Sequence, residues 1–179
     1  MKNYEKLFDA TAFILYRNDN SMNYTKLIKE LYFADRESIK AKGFSITGDK
    51  YYSMKEGPIL STLLHLIKGN YPKQEVQQEW NQVFSTNKDT YEISIKKQNF
   101  CLNSLSPNEE KILENISTKF KPMDWKEVVD KYAHNPSYCP EWQKLSRGRK
   151  VLKLETILYH LGYTANEIKI LVNENKYYN

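Results

Sequence analysis

Apolar side chains recur at helical spacing along most of the chain. Leu7, Phe8, Thr11, Ile14 and Leu15 would share one face of a helix over 3–17. The run RNDNS at 17–21 breaks that period, with Ser21 as the candidate N-cap of a second helix over 22–42. Tyr24, Leu27, Ile28, Leu31 and Ile39 form the second stripe, and Gly43 stands where a left-handed C-terminal cap is wanted. Gly57-Pro58 reads as the start of a third helix, because proline suits the first helical position. Its buried face would be Leu60, Leu63, Leu64 and Ile67, ended by Gly69-Asn70. A weaker helical pattern covers 73–84 through Val76, Trp80, Val83 and Phe84.

Two stretches change period. Residues 44–57, FSITGDKYYSMKEG, suit short extended segments around a Thr47-Gly48-Asp49 turn. Residues 90–96 alternate, with Tyr91, Ile93 and Ile95 set against Glu92, Ser94 and Lys96. Helical signals then return. Ser106-Pro107-Asn108-Glu109 is a capping-box start for a helix to about 119. Asp124 caps a short helix over 124–133, and a loop with two prolines fills 134–148, with a short helix predicted at 140–145. Helices at 150–161 and 164–175, the latter behind Thr164, close the chain. With no internal repeat, low-complexity tract or Gly/Ser linker, the pattern predicts a mainly α, compact single-domain fold over 1–179. A small antiparallel β element would come from about 44–56 and 90–97, and the C-terminal helical part from 106–176.

Composition narrows the class. The 179 residues carry 27 Lys plus Arg against 22 Asp plus Glu, a net charge of +5. The excess is +2 in residues 1–90 (13 basic, 11 acidic) and +3 in 91–179 (14 basic, 11 acidic), so it is spread and not gathered into one basic module. No apolar run is long enough for a membrane-spanning helix, and the N-terminal residues do not read as a secretory signal. The two cysteines, Cys101 and Cys139, then read as reduced thiols in a cytoplasmic protein.

The search for chemistry yields little. Cys101, Cys139, His65, His134 and His160 have none of the spacings of a zinc site, so no metal and no cofactor is expected. GxSxG, GxxxxGK[ST] and GxGxxG are all missing, and Cys101 sits between Phe100 and Leu102 in an apolar setting that would keep it inert. These patterns favour a protein that is not an enzyme. Asp35 breaks a local rule, for it lies on the apolar stripe between Leu31 and Ile39. Three readings compete for it: a buried clamp on the following FSITGDKYY loop, an active-site acid, or an exposed residue on a rotated helix. Arg36, one of only four arginines, either braces the loop at 44–57 or faces a partner. The segment 144–153, KLSRGRKVLK, holds Lys144, Arg147, Arg149, Lys150 and Lys153. It is a solvated loop, a phosphate-binding surface or a contact for an acidic protein. Tyrosines at 51–52 and 177–178, with Tyr4, Tyr16, Tyr24 and Tyr32, fit either a core edge or an interface.

The segment from Leu27 to Leu66 resembles the Panacea domain, the SocA-like antitoxin family. Leu31-Tyr32-Phe33-Ala34-Asp35-Arg36 resembles the family's aromatic-Ala-Asp-Arg helix, and Gly43 follows at the family's distance. Ile46-Thr47-Gly48-Asp49 with Tyr51 is similar to its ITGD-x-Y turn, and Gly57-Pro58 follows as in the family, within a motif core of 25–70. The resemblance implies an antitoxin of a bacterial or phage toxin–antitoxin pair. Such a protein neutralises a cognate toxin by direct binding and, in one branch, delivers it to a ClpXP-type protease. It implies no catalytic residue. Tyr32, Asp35, Arg36, Gly43, Thr47, Gly48, Asp49, Tyr51, Gly57 and Pro58 would hold the frame. The alternative is a nucleic-acid-binding regulator that uses the basic 144–153 segment.

Overall fold

A computed structural model describes residues 4–96 and 100–178. In chain order the elements are α1 (Glu5–Arg17), β1 (Ser21–Asn23), α2 (Tyr24–Lys42), β2 (Tyr51–Met54), β3 (Gly57–Leu60) and α3 (Ser61–Lys68). They continue with α4 (Gln74–Val83), β4 (Phe84–Asn87), β5 (Glu92–Ile95), α5 (Pro107–Phe120) and α6 (Trp125–Val128). The chain α6 runs on as a π-helical turn, Val129–Ala133, before β6 (Lys150–Leu152), α7 (Leu154–His160) and α8 (Ala165–Tyr178). The fold is mainly helical with two small antiparallel sheets. Asn3, Lys97 and the side chains of Tyr177 and Tyr178, to which expectations were attached, lie outside the described residues.

Helix α2 is the central element. Every residue from Lys26 to Asp35 is buried, because α1, α5 and α6 pack on one side and β3 on another. Asn23 caps its N-terminus, its side chain accepting from the amides of Thr25 and Lys26. Ser21, the expected cap, instead lies in β1. Asp19 and Asn20 take positive φ angles and reverse the chain into that strand first. At the other end Gly43 (φ 79°) closes the helix, and a Cβ there would run into Leu171 of α8. The Tyr163 hydroxyl donates to the carbonyls of Ile39 and Lys40, the former of which also accepts from the Gly43 amide.

One sheet has the order β1-β5-β4, with Met22 and Thr86 both opposite Ile93. The alternating 90–96 segment supplied its central strand. β1 and β4 are three and four residues long and carry no alternation to betray them. The other sheet has the order β3-β2-β6. Here Gly57-Pro58 does not open a helix. Gly57 has φ 99°, outside the helical region, and Pro58 pairs with Ser53 on an edge strand, where a missing N–H costs nothing. The helix begins only at Ser61. Residues 150–152, expected as helix, pair with β2 as β6, so α7 starts at Leu154. Residues 140–141 form a turn, closed by the Trp142 amide donating to the Cys139 carbonyl, and 142–145 are irregular, so the expected short helix does not form.

The capping box of α5 forms as its sequence indicates, and the one at α6 does too. Aromatic rings fill the core in two groups. Phe8, Trp80 and Phe84 meet between α1, α4 and β4, and Phe33, Phe120 and Tyr132 meet between α2, α5 and the π-turn.

Candidate functional site

The polar residues singled out by the sequence converge on the C-terminal half of α2. Asp35 is fully buried and faces the loop after Gly43. One carboxylate oxygen accepts from the amides of Ile46 and Thr47 at 2.8 and 2.9 Å. The other accepts from the Thr47 and Tyr51 hydroxyls at 2.5 and 2.9 Å. Burial raises its pKa to about 6 even though all four hydrogen bonds favour the ionised form. Asp35 is therefore a clamp between helix and loop, with no face left for a substrate.

The loop carries a second carboxylate with a similar task. Gly48 takes φ 64°, which turns Asp49 inward. Its oxygens accept from the amides of Thr62 and Leu63 at 3.0 Å each and from Lys50 N–H at 2.6 Å. Thr62 and Leu63 are in the first turn of α3, whose own N-cap position, Leu60, has no side-chain acceptor. Asp49, eleven positions upstream of Leu60, thus does the capping. Asp35 holds the ITGD turn against α2, and the turn's own aspartate holds α3.

Arg36 does not reach the loop at 44–57. Its Nε donates to Glu141 at 2.6 Å and its Nη2 at 3.2 Å, while the Tyr32 hydroxyl donates to the same carboxylate at 2.7 Å. Burial works against the Arg36 cation, but the hydrogen bonds and charge of Glu141 outweigh it and raise its pKa. Trp142, next to Glu141, donates its indole N–H to the Met54 carbonyl at 2.9 Å and stacks on His134 at 4.2 Å. His134 in turn contacts the Lys55 carbonyl at 3.0 Å. The 134–142 loop is thereby fastened to both α2 and the tip of the β2–β3 hairpin. Lys29 completes the frame: fully buried, it donates to the Pro58 carbonyl at 2.8 Å, and burial lowers its pKa to about 7. A Cβ on Gly57 would stand 2.8 Å from the Ala133 Cβ and 3.3 Å from the Lys29 ammonium.

Glu141, Trp142 and Lys29 were not singled out by sequence, and His134 was weighed only as a metal ligand. Glu141 lies in an aperiodic loop, and the one trace of it was an arginine on α2 without an obvious partner. Lys29 is hidden because a buried lysine in a helix looks like any solvated one.

The motif residues Tyr32, Asp35, Arg36, Gly43, Thr47, Gly48, Asp49, Tyr51, Gly57 and Pro58 thus lie along α2, the 44–50 turn and the β2–β3 hairpin, with Asp35 and Asp49 tying these to one another and Tyr32 and Arg36 tying α2 to Glu141. A family model for the antitoxin SocA-like, Panacea domain matches residues 27–143, nearly two thirds of the chain. The chain belongs to that family. No curated protein and no solved structure matches it. The Panacea segment begins within α2 and ends just past Trp142, so both fastenings of the 134–142 loop fall inside it.

The basic residues make no hydrogen bond to this network, although Lys153 shares a cleft with Asp49 and Tyr51. Lys144, Arg147, Arg149, Lys150 and Lys153 are all exposed. Arg149 lies over the Tyr52 ring, 4.7 Å from its centroid, with Nη1 3.5 Å from His65 Nε2. Lys150 donates to the Gln143 side chain at 2.7 Å. Lys153 borders a cleft of about 240 Å³ whose other walls include Ser45, Lys50, Tyr52, Val151 and Asn175. Among the described residues no cluster of three His, Cys, Asp or Glu side chains could hold a metal ion, and no helix is long and apolar enough to cross a membrane.

Proposed function

We propose that this Panacea protein is an antitoxin that neutralises a cognate toxin by direct protein–protein binding. The family match over 27–143 carries the reading. The frame supports it: Asp35, Asp49, Arg36 and Glu141 are taken up by backbone amides, hydroxyls and one another, which suits a rigid binding scaffold better than a catalytic centre. The reading assigns no catalytic residue and no cofactor. The chain carries a net positive charge. Overall charge attraction would not join it to a basic toxin, so apolar anchors and local charge must supply the affinity.

The test is a tagged pull-down from the native host, followed by co-expression of the recovered partner with and without this chain. The expected result is one stoichiometric protein, toxic alone and harmless in the pair, retained at high salt. Repeating the co-expression in a strain without ClpXP asks whether neutralisation involves proteolysis. Partner levels that fall only when the protease is present would assign the adaptor role. Nucleic acid retained in place of protein, and released by salt or by Arg147→Ala with Arg149→Ala, would replace the antitoxin reading with the DNA-binding one.

A further inference from the structure

The β3-β2-β6 sheet has two edges of very different character. The β3 edge is closed. α2 and the π-turn pack against it, Lys29 donates to the Pro58 carbonyl, and Gly57 abuts Ala133. The β6 edge is open. Among the described residues no further strand pairs with β6, and residues 150–152 make no backbone hydrogen bond except to β2. Alternate residues of a strand direct N–H and C=O groups away from the paired neighbour, so this edge presents unpaired donors and acceptors.

Charge distinguishes this edge. Residues 144–154 contain five cations and no carboxylate. The carboxylates of the neighbouring frame are engaged elsewhere, Asp49 by the α3 amides and Glu141 by Arg36. Arg149 is held in place by the Tyr52 ring, and Lys150 and Lys153 flank Val151, which is 56% exposed. The 240 Å³ cleft beside Val151 has room for an anchoring side chain. The other sheet also has edges, β1 and β4, but neither strand contains a charged residue. Cations along an edge repel a second cationic edge and favour an acidic strand.

We propose that the open edge of β6 is the docking strand for the partner protein, which adds an extended acidic segment to the β3-β2-β6 sheet and places a side chain in the cleft beside Val151. Backbone pairing supplies affinity in such an arrangement, and the flanking charges and cleft supply selectivity. The proposal rests on the antitoxin reading and names its contact surface. β6 lies beyond residues 27–143, so the family segment provides β2 and the docking edge is added to it by the rest of the chain.

The test uses the full chain and the partner protein recovered by wild type in the pull-down. The variant Arg149→Glu/Lys150→Glu/Lys153→Glu is compared with a control reversal of the exposed Lys88 and Lys111. The triple reversal is expected to weaken binding at least about 100-fold, and the control by less than about threefold. Independently of any variant, amide hydrogen exchange in the wild-type complex should slow at 150–152. Unchanged affinity of a folded triple variant, or protection confined to other elements, overturns the proposal and leaves the antitoxin reading standing. A wild-type chain that recovers no protein overturns both. Retention of nucleic acid that the triple reversal abolishes identifies the edge as a phosphate-binding surface instead.

Discussion

Replacing Asp35 separates the role of its charge from that of its hydrogen bonds. Asp35→Ala leaves the Ile46 and Thr47 amides buried with no acceptor, at about 1–3 kcal/mol for each orphaned donor. The Thr47 and Tyr51 hydroxyls can rotate toward other acceptors and add less. The expected loss is about 4 kcal/mol, which lowers Tm by roughly 8–16 °C for a chain of this length. Asp35→Asn should behave differently. Its carbonyl oxygen keeps both backbone bonds, its NH2 group donates to the two hydroxyls, and the cost of burying a charge disappears. A loss under about 1.5 kcal/mol is expected. The pH dependence follows from the same burial. The folded pKa of about 6 lies above the ordinary aspartate value of 3.8, so the folded state binds the extra proton. The pH-dependent part of the Asp35 contribution is therefore fully present below about pH 4 and falls away as pH rises through 6. In the Asn variant this slope should vanish. Thermal melts by circular dichroism between pH 4 and 8 measure all of it. A Tm of Asp35→Ala within about 2 °C of wild type would refute the clamp, and lost toxin neutralisation at unchanged Tm would make Asp35 a contact residue.

Other perturbations test the remaining fastenings. Glu141→Ala strands the Arg36 cation and the Tyr32 hydroxyl and should cost about 3–5 kcal/mol in denaturant unfolding. Arg36→Lys should also destabilise, because a lysine cannot make the forked contact. Gly57→Ala combines a positive φ with a clash at Ala133, for an expected loss of about 3 kcal/mol by the same measurement. At Glu109 burial acts upward, but hydrogen bonds from Lys6, the Ser106 amide and Lys42 lower its pKa to about 2. Its contribution is present above about pH 4.5 and lost as pH falls toward 2. Glu109→Gln should therefore lower Tm at pH 7 and converge on wild type near pH 2.

The helices were legible where an amphipathic stripe and a cap coincide. Ser106 with Glu109 marked the start of α5, and Gly43 marked the end of α2. The errors fall where a tertiary partner decides the local state. Gly57-Pro58 has the composition of a helix start, yet β2 pairs with it and a positive φ at Gly57 postpones the helix to Ser61. Lys150–Leu152 has no strand alternation of its own and becomes β6 by pairing with Tyr51–Ser53, about a hundred residues away. Of the frame, Asp35 was visible because a carboxylate on an apolar stripe is locally inconsistent. The loop that holds its partners could be named, because they lie only 11 to 16 residues further on. Glu141 could not, since only folding brings it to Arg36.

The frame and the β6 rim differ in what a substitution there would do. Asp35, Asp49, Glu141 and Lys29 each satisfy groups on another element, so changing any of them moves a turn, a helix start or a hairpin. None can be altered to suit a new partner without loss of stability. The β6 rim has the opposite property. Arg149, Lys150 and Lys153 are exposed, and no buried group depends on them for a hydrogen bond. Their substitution should cost little stability, within about 0.5 kcal/mol each. A binding protein that must match a particular toxin needs both properties together: a scaffold that stays put when its surface changes, and a surface whose residues the scaffold does not use. Asp35, Asp49, Glu141 and Lys29 have the first property, and the proposed docking edge of β6 has the second.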